Sequence, residues 1–175
     1  VSTVPAYWAR DFDDFATARH RFEEILRVFR EQGDEASCSG ALAQLAIIEA
    51  FTGHLERARH LADDALDFAH QTAQDTLINV ALNSQGQVFA RAGDLPSARA
   101  AAEEVLRRLE EQPDRTLDCM VRAVLGLTAL SAGDFAEADR HFSLAEDTLA
   151  VTHNRAPASD RYHADHAEAA SALGS

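Results

Sequence analysis

The chain has 175 residues, 46% of them hydrophobic and 26% charged, which is enough for one domain with a buried core. Its net charge of −13, with no lysine among the 16 basic residues, argues against a surface that binds nucleic acid directly. The two cysteines are isolated, and the sequence has neither a signal-peptide pattern nor a long apolar run. We therefore expect a cytoplasmic protein that makes no contact with membranes.

Apolar residues recur at spacings of three and four along nearly the whole chain, which is typical of amphipathic helices. Residues 1–12 are expected to hold the remnant of a first leading helix. The predicted helices that follow, in chain order, cover about 14–31, 36–52, 54–71, 74–92, 94–111, 114–132, 134–151 and 157–173.

An internal repeat with a period of about 40 residues organises these helices. Gly53, Gly93 and Gly133 follow one another at equal intervals, and Asp13 takes the glycine's place in the first repeat. A glycine can end one helix in the left-handed conformation, and the Asp after it (Asp94, Asp134) can cap the next helix. Pro96 falls in a first helical turn, where its missing N–H does no harm. Seven positions before the turn, each repeat has a small residue where two helices would cross: Ala6, Ala46, Gly86 and Gly126.

The spacing of small residue, turn glycine and following alanine resembles the tetratricopeptide repeat. The matching triplets are Ala46/Gly53/Ala58, Gly86/Gly93/Ala98 and Gly126/Gly133/Ala138. The period departs from the family's usual length of about 34 residues, and no proline closes each repeat. The resemblance implies an all-α fold, a right-handed α-solenoid of antiparallel helix pairs. We expect residues 1–175 to form a single helical-repeat domain of a longer protein. Its repeats would cover about 1–33, 34–73, 74–113 and 114–153, with a partial fifth at 154–175.

The segment 156–174 resembles a stretch near the end of the helical region in LuxR-type transcriptional regulators of actinobacteria. It contains a proline, an aromatic residue, an Asp, one Glu-Ala pair and a final Leu-Gly. This resemblance implies a nucleotide-binding module upstream and a helix-turn-helix downstream of a regulatory helical region. The alternative is a freestanding tetratricopeptide-like scaffold that binds a peptide or protein.

Solenoids of this type bind partners on the concave face, which the leading helix of each pair lines. In the third repeat, four polar residues spaced by four predict a polar stripe on that face: Asn79, Asn83, Gln87 and Arg91. Neighbouring repeats add apolar residues, chiefly Ile47, Met120 and Leu127. An apolar groove with a polar centre suits a peptide or protein, neighbouring domains of the same chain or a small effector. In the alternative interpretation, the stripe is merely solvated and the apolar residues belong to the core.

No pattern in the sequence favours catalysis, a metal or a cofactor. A zinc site needs three or four convergent ligands. The best candidates are His163 and His166, which lie three positions apart, with His153 upstream, but no cysteine is close to them in the sequence. Without lysine, a phosphate-binding loop or a Schiff base is excluded within this chain. We therefore expect a chain that is not an enzyme. Apolar surface at either end would allow self-association.

Overall fold

The computed structural model describes residues 2–11, 14–152 and 163–174, and over these ranges its regular structure is entirely helical. The helices are α1 (Val4–Asp11), α2 (Phe15–Gln32), α3 (Glu35–Phe51), α4 (Leu55–Thr72), α5 (Asp75–Arg91), α6 (Leu95–Leu109), α7 (Arg115–Ser131), α8 (Phe135–Thr152) and α9 (His163–Leu173). The predicted all-α fold is confirmed. The predicted last helix agrees from His163 onward, and its first part at 157–162 lies outside the described residues.

The helices pack as pairs that stack on one another, as expected for a helical-repeat solenoid. The leading helices α3, α5 and α7 pack against the trailing helices α4, α6 and α8 of their own pairs, and α1 packs against α2. The trailing helices begin at Phe15, Leu55, Leu95 and Phe135, which are evenly spaced along the chain. The handedness of the stack stays a prediction.

Leading helices also contact the leading helices of the next pair: α3 packs on α5, α5 on α7 and α7 on α9. Among the described residues, no two trailing helices make a comparable contact. Because the leading helices are the more closely spaced set, they line the inner side of the stack. The inner face is therefore built from α3, α5, α7 and α9.

The turns between paired helices have the predicted chemistry. Gly53, Gly93 and Gly133 have φ of 83°, 77° and 80°, the left-handed conformation that glycine adopts without strain. Asp94 Oδ1 accepts a hydrogen bond from the backbone N–H of Ser97, and Asp134 Oδ1 accepts one from Glu137. These caps fix where α6 and α8 begin. Asp13, predicted to replace the glycine of the first repeat, lies outside the described residues.

The small residues lie at the predicted crossings. Ala46 is fully buried in one cluster with Ala58 and Ala62 of α4. Gly86 and Gly126 are buried on α5 and α7. A Cβ at Gly86 would contact the carbonyl oxygen of Ala98 at 3.6 Å. The helices of a pair can therefore approach closely because one side chain at each crossing is absent or is a methyl group.

Candidate functional site

The inner face retains part of the predicted apolar groove. Met120 and Leu127 on α7 are half-buried, so each keeps an accessible surface. Gln87 and Arg91 on α5 are half-buried as well. Ile47 is only 8% exposed and belongs to the core between α3 and its neighbours. The accessible part of the predicted site is therefore the strip formed by Gln87, Arg91, Met120 and Leu127, which we call the α5–α7 strip.

The prediction of one continuous polar stripe on α5 is wrong at its first two residues. Asn79 and Asn83 are each only 4% exposed. Asn79 Oδ1 accepts a hydrogen bond of 2.6 Å from Nε of Arg108 on α6, whereas Asn83 Oδ1 is buried without a partner among the described residues. Residues spaced by four drift around a helix, and from Asn79 to Arg91 the accumulated rotation reaches about 120°. One end of the stripe therefore faces the packed interior and the other end faces the inner surface.

Arg91 is held by an aromatic ring of the preceding repeat. Its guanidinium carbon lies 3.7 Å from the ring centroid of Phe51. The Phe51 ring also stacks on Phe15, at a centroid distance of 5.6 Å and an interplanar angle of 13°. Nη1 of Arg91 donates to the backbone oxygen of Gln87 at 3.3 Å. A cation placed over a ring face is attracted by the ring quadrupole, so the Arg91 guanidinium occupies a defined position beside the strip.

Asp165 on α9 lies within the electrostatic influence of Arg91. Partial burial raises the pKa of Asp165 above its usual range, and the positive charge of Arg91 opposes that rise. The negative charge of Glu168, also on α9, raises the pKa of Asp165 further. The inner face therefore carries an acidic group from α9 near the cation of α5.

A buried carboxylate that the sequence analysis missed joins the first two repeats. The side chain of Glu49 is 1% exposed and forms an ion pair of 2.7 Å with Nε of Arg19 on α2. Arg57 contributes a second ion pair at 3.2 Å, and Nδ1 of His54 lies 3.0 Å from the carboxylate. Arg57 also pairs with Glu23 at 2.5 Å, so two arginines face two carboxylates and the cluster is a structural joint between repeats.

Repeat position could have revealed this joint. Arg19, Arg59 and Arg99 occupy the same position in three successive repeats. Each reaches toward the following repeat. Arg19 pairs with Glu49, Arg59 lies 5.7 Å from the ring centroid of Phe89, and Arg99 makes two hydrogen bonds of 2.9 Å to Glu137. The same arginine position therefore connects consecutive repeats through three different partners.

A shallow groove of about 380 Å³ lies where α6 ends against α7 and α8. Its wall combines apolar residues such as Leu109 and Leu144 with the polar Thr148. Arg122 in this groove is paired with Asp118, whose carboxylate lies 2.8 Å from the Arg122 Nε. The charge of Arg122 is therefore neutralised locally.

Among the described residues, no cluster of His, Cys, Asp and Glu has the arrangement of a metal site. His163 and His166 contact carboxylates of α8, and His153 lies outside the described residues. Within the described ranges, no helix is both long and apolar enough to pass through a lipid bilayer.

No model of a known protein family matches this chain. A comparison with curated proteins likewise finds no similar sequence. The interpretation of the inner face therefore depends on its own geometry and on the resemblances carried by the sequence.

Proposed function

We propose that this chain is the helical-repeat regulatory region of a LuxR-type transcriptional regulator and that it acts in the cytoplasm. In this role it binds an effector, a partner protein or a neighbouring domain and carries out no catalysis. The tetratricopeptide-like spacing and the segment 156–174 support the family assignment. The observation that carries the binding role is the accessible α5–α7 strip on the inner face.

The chemistry of the strip favours a partner that presents an apolar surface beside a polar group. Met120 and Leu127 lie seven positions apart on α7, a separation of about two helical turns that matches the apolar face of an amphipathic helix. Gln87 can donate and accept hydrogen bonds, and Arg91 adds a positive charge beside the strip. A partner that contacts this strip in one state of the regulator and not in the other would shift the balance between the two states.

The complete gene provides the first test of the family assignment. The proposal requires a phosphate-binding loop upstream of this chain and a helix-turn-helix downstream, as the resemblance implies. Finding both modules would support the regulator. A gene that lacks both would reject it and would leave the freestanding scaffold as the better description.

The second test addresses the strip in the full-length regulator. Met120→Glu and Leu127→Glu place a charge on the inner face, whereas the controls Ala100→Glu and Ala136→Glu place the same charge at exposed positions on α6 and α8. We expect effector-dependent transcription to fall at least about tenfold in the two inner-face variants, since central apolar contacts dominate binding. The controls should stay at the wild-type level. Normal transcription from folded inner-face variants would contradict the proposal.

A further inference from the structure

The groove between α6, α7 and α8 lies where the α7/α8 pair lacks a large side chain that earlier pairs have. Thr148 on α8 lines the groove, and Arg108 occupies the same repeat position on α6. Arg108 reaches α5, where it pairs with Asp75 and donates from Nε to Oδ1 of Asn79 at 2.6 Å. On α4 the position belongs to Phe68, which packs against the core. Of the pairs α3/α4, α5/α6 and α7/α8, only the last has a short side chain at this place.

The α5/α6 pair shows what kind of group fits between the two helices at this position. The Arg108 side chain is only 23% exposed. Its guanidinium meets the carboxylate of Asp75 and the amide oxygen of the buried Asn79. An arginine can bury its aliphatic stem along apolar surface while its charged end pairs with a carboxylate. The equivalent place beside Thr148 is open to a group with the same two parts.

The groove has an apolar wall where the other repeats carry charge. Leu144 lines the groove and keeps 37% of its surface exposed. At the same repeat position the other trailing helices have carboxylates, namely Glu24, Asp64 and Glu104. Leu109 extends this wall from the end of α6. An aliphatic stem that covered Leu144 would remove apolar surface from water, which favours binding.

The charged residues of the groove favour a cation over an anion. They are three carboxylates and two guanidinium groups: Asp114, Asp118, Asp147, Arg115 and Arg122. Arg122 donates from Nε to Asp118 at 2.8 Å, and Asp114 accepts a backbone hydrogen bond at the start of α7. Asp147 is exposed and has no ion-pair partner among the described residues. The net charge of −13 on the chain also attracts cations.

We propose that this groove binds a small organic cation, a guanidinium or ammonium group on an aliphatic stem. The cation takes the place that Arg108 fills in the preceding pair. Its charged end faces Asp114 and Asp147, and its stem lies along Leu109 and Leu144. The volume of about 380 Å³ is within the usual size of small-ligand sites.

This site is separate from the α5–α7 strip. Met120 and Leu127 lie about 200° and 180° around α7 from Asp118, at about 100° per residue. The groove and the strip therefore use opposite sides of α7. The cation site does not depend on the proposed function of the strip.

A titration of the chain with n-butylguanidinium, followed by the backbone amide signals in NMR, tests the proposal. We expect saturable shifts at the groove residues Leu109, Asp118 and Thr148. Guanidinium, which lacks the stem, should bind at least about tenfold more weakly, because each buried methylene adds to affinity. Butyrate and n-butanol, which lack the cation, should give no saturable shifts there. An absence of saturable shifts with n-butylguanidinium, or equal binding of butyrate, would overturn the proposal.

Two variants with matched controls place the probe in the groove. Thr148→Arg should abolish binding, because the chain's own guanidinium then fills the site as Arg108 does in the preceding pair. Ala136→Arg adds the same charge at the exposed start of α8 and should reduce affinity far less. Undiminished binding by Thr148→Arg would contradict the proposal.

The second variant changes an exposed side chain and therefore tests the site even if Thr148→Arg fails to fold. Asp147→Asn should weaken binding about threefold, as expected for one ion pair near the surface. Its control is Asp67→Asn, at the same repeat position on α4, which should bind as the wild type does. Equal affinities of these two variants would overturn the proposal.

A blocked arginine, N-acetylarginine N-methylamide, distinguishes two sources of the cation. Binding as tight as that of n-butylguanidinium would support a site for an arginine side chain of a peptide. Binding of n-butylguanidinium alone would support a site for a free small molecule. Failure of both compounds would reject the cation site and leave the proposed role of the α5–α7 strip untouched. Conversely, normal transcription from the inner-face variants would reject that role and leave the cation site standing.

Discussion

At the crossing of α7 and α8, the backbone of Gly126 lies directly against the ring of Phe142. A Cβ built at Gly126 would lie 2.5 to 2.8 Å from three ring atoms, closer than carbon atoms can approach. Phe142 is fully buried, so its ring has little room to move away. At the equivalent crossing of α5 and α6, a Cβ at Gly86 would lie 3.6 Å from the carbonyl oxygen of Ala98 on α6 and 3.4 Å from Val124 on α7, both ordinary contacts.

These distances predict opposite results for two matched substitutions. Gly126→Ala should lower the free energy of unfolding by about 1–3 kcal/mol through overpacking. Gly86→Ala should leave it unchanged or raise it by up to about 1 kcal/mol, because alanine favours the helix. Chemical denaturation of the two variants measures both values. An equally stable Gly126→Ala variant would contradict the close crossing of α7 and α8.

A comparison of Asn79 with Asn83 separates the effect of a hydrogen bond on stability from the effect of burial. Both are 4% exposed on α5, but only Asn79 Oδ1 accepts a hydrogen bond from Arg108. Asn79→Ala should lower the free energy of unfolding by about 1–3 kcal/mol more than Asn83→Ala, because the former breaks a bond to a charged donor. Asn83→Ala removes an unsatisfied oxygen and should be nearly neutral. Equal losses of unfolding free energy in the two variants, measured by urea denaturation, would show that the hydrogen bond from Arg108 adds nothing to stability.

At the scale of the helices, the residues that follow α2 and α4 both have positive φ, but one is a glycine and the other an alanine, so only the second carries backbone strain. Gly33, the residue that follows helix α2, has φ of 67°. Ala73, the residue that follows helix α4, has φ of 51° and is the one non-glycine residue with positive φ in the described part of the chain. A left-handed conformation costs an L-residue with a Cβ about 1–2 kcal/mol. Packing of α4 between α3 and α5 compensates for this cost.

Replacing Ala73 with glycine should therefore stabilise the protein. We expect Ala73→Gly to raise the free energy of unfolding by about 1 kcal/mol. Ala92, the residue that follows helix α5, has φ of −79° and provides the control. Ala92→Gly should lower the free energy of unfolding by about 0.5–1 kcal/mol, because glycine adds freedom to the unfolded chain without relieving strain. Thermal or urea unfolding would show that the two substitutions change the free energy of unfolding in opposite directions. A lower free energy of unfolding in both variants would contradict the left-handed conformation of Ala73.

At the scale of the whole molecule, the stack is joined by polar contacts between repeats as well as by apolar packing. Arg99 of α6 and Glu137 of α8 form the best-defined joint, and the hydrogen bonds from Arg99 hold the pKa of Glu137 below its usual range. His141, one helical turn after Glu137, is 5% exposed at the same interface. Burial lowers the pKa of His141, and the charge of Arg140 lowers it further against the opposing effect of Glu137.

The buried His141 predicts a global dependence of stability on pH. Its folded-state pKa lies below the ordinary value of 6.5, so the unfolded chain binds the proton more readily. The contribution is therefore fully present above about pH 6.5 and is lost as the pH falls toward the folded-state pKa. His141→Leu, which introduces the residue found at the same repeat position in Leu61, should flatten the slope of stability against pH on the acidic side of neutrality. An unchanged slope in urea denaturation would exclude His141 as its source.

The sequence by itself determined the helices, their turns and their crossings, because each is set by local chemistry. Turn glycines such as Gly93, caps such as Asp94 and the small residue Gly86 act on neighbours within one helix pair. Only the tertiary structure decided which polar residues are accessible. Asn83 is buried and Gln87 is partly exposed although they are one turn apart on α5. Exposure depends on the angle at which α5 meets α6 and α7. Spacing along the chain does not specify that geometry.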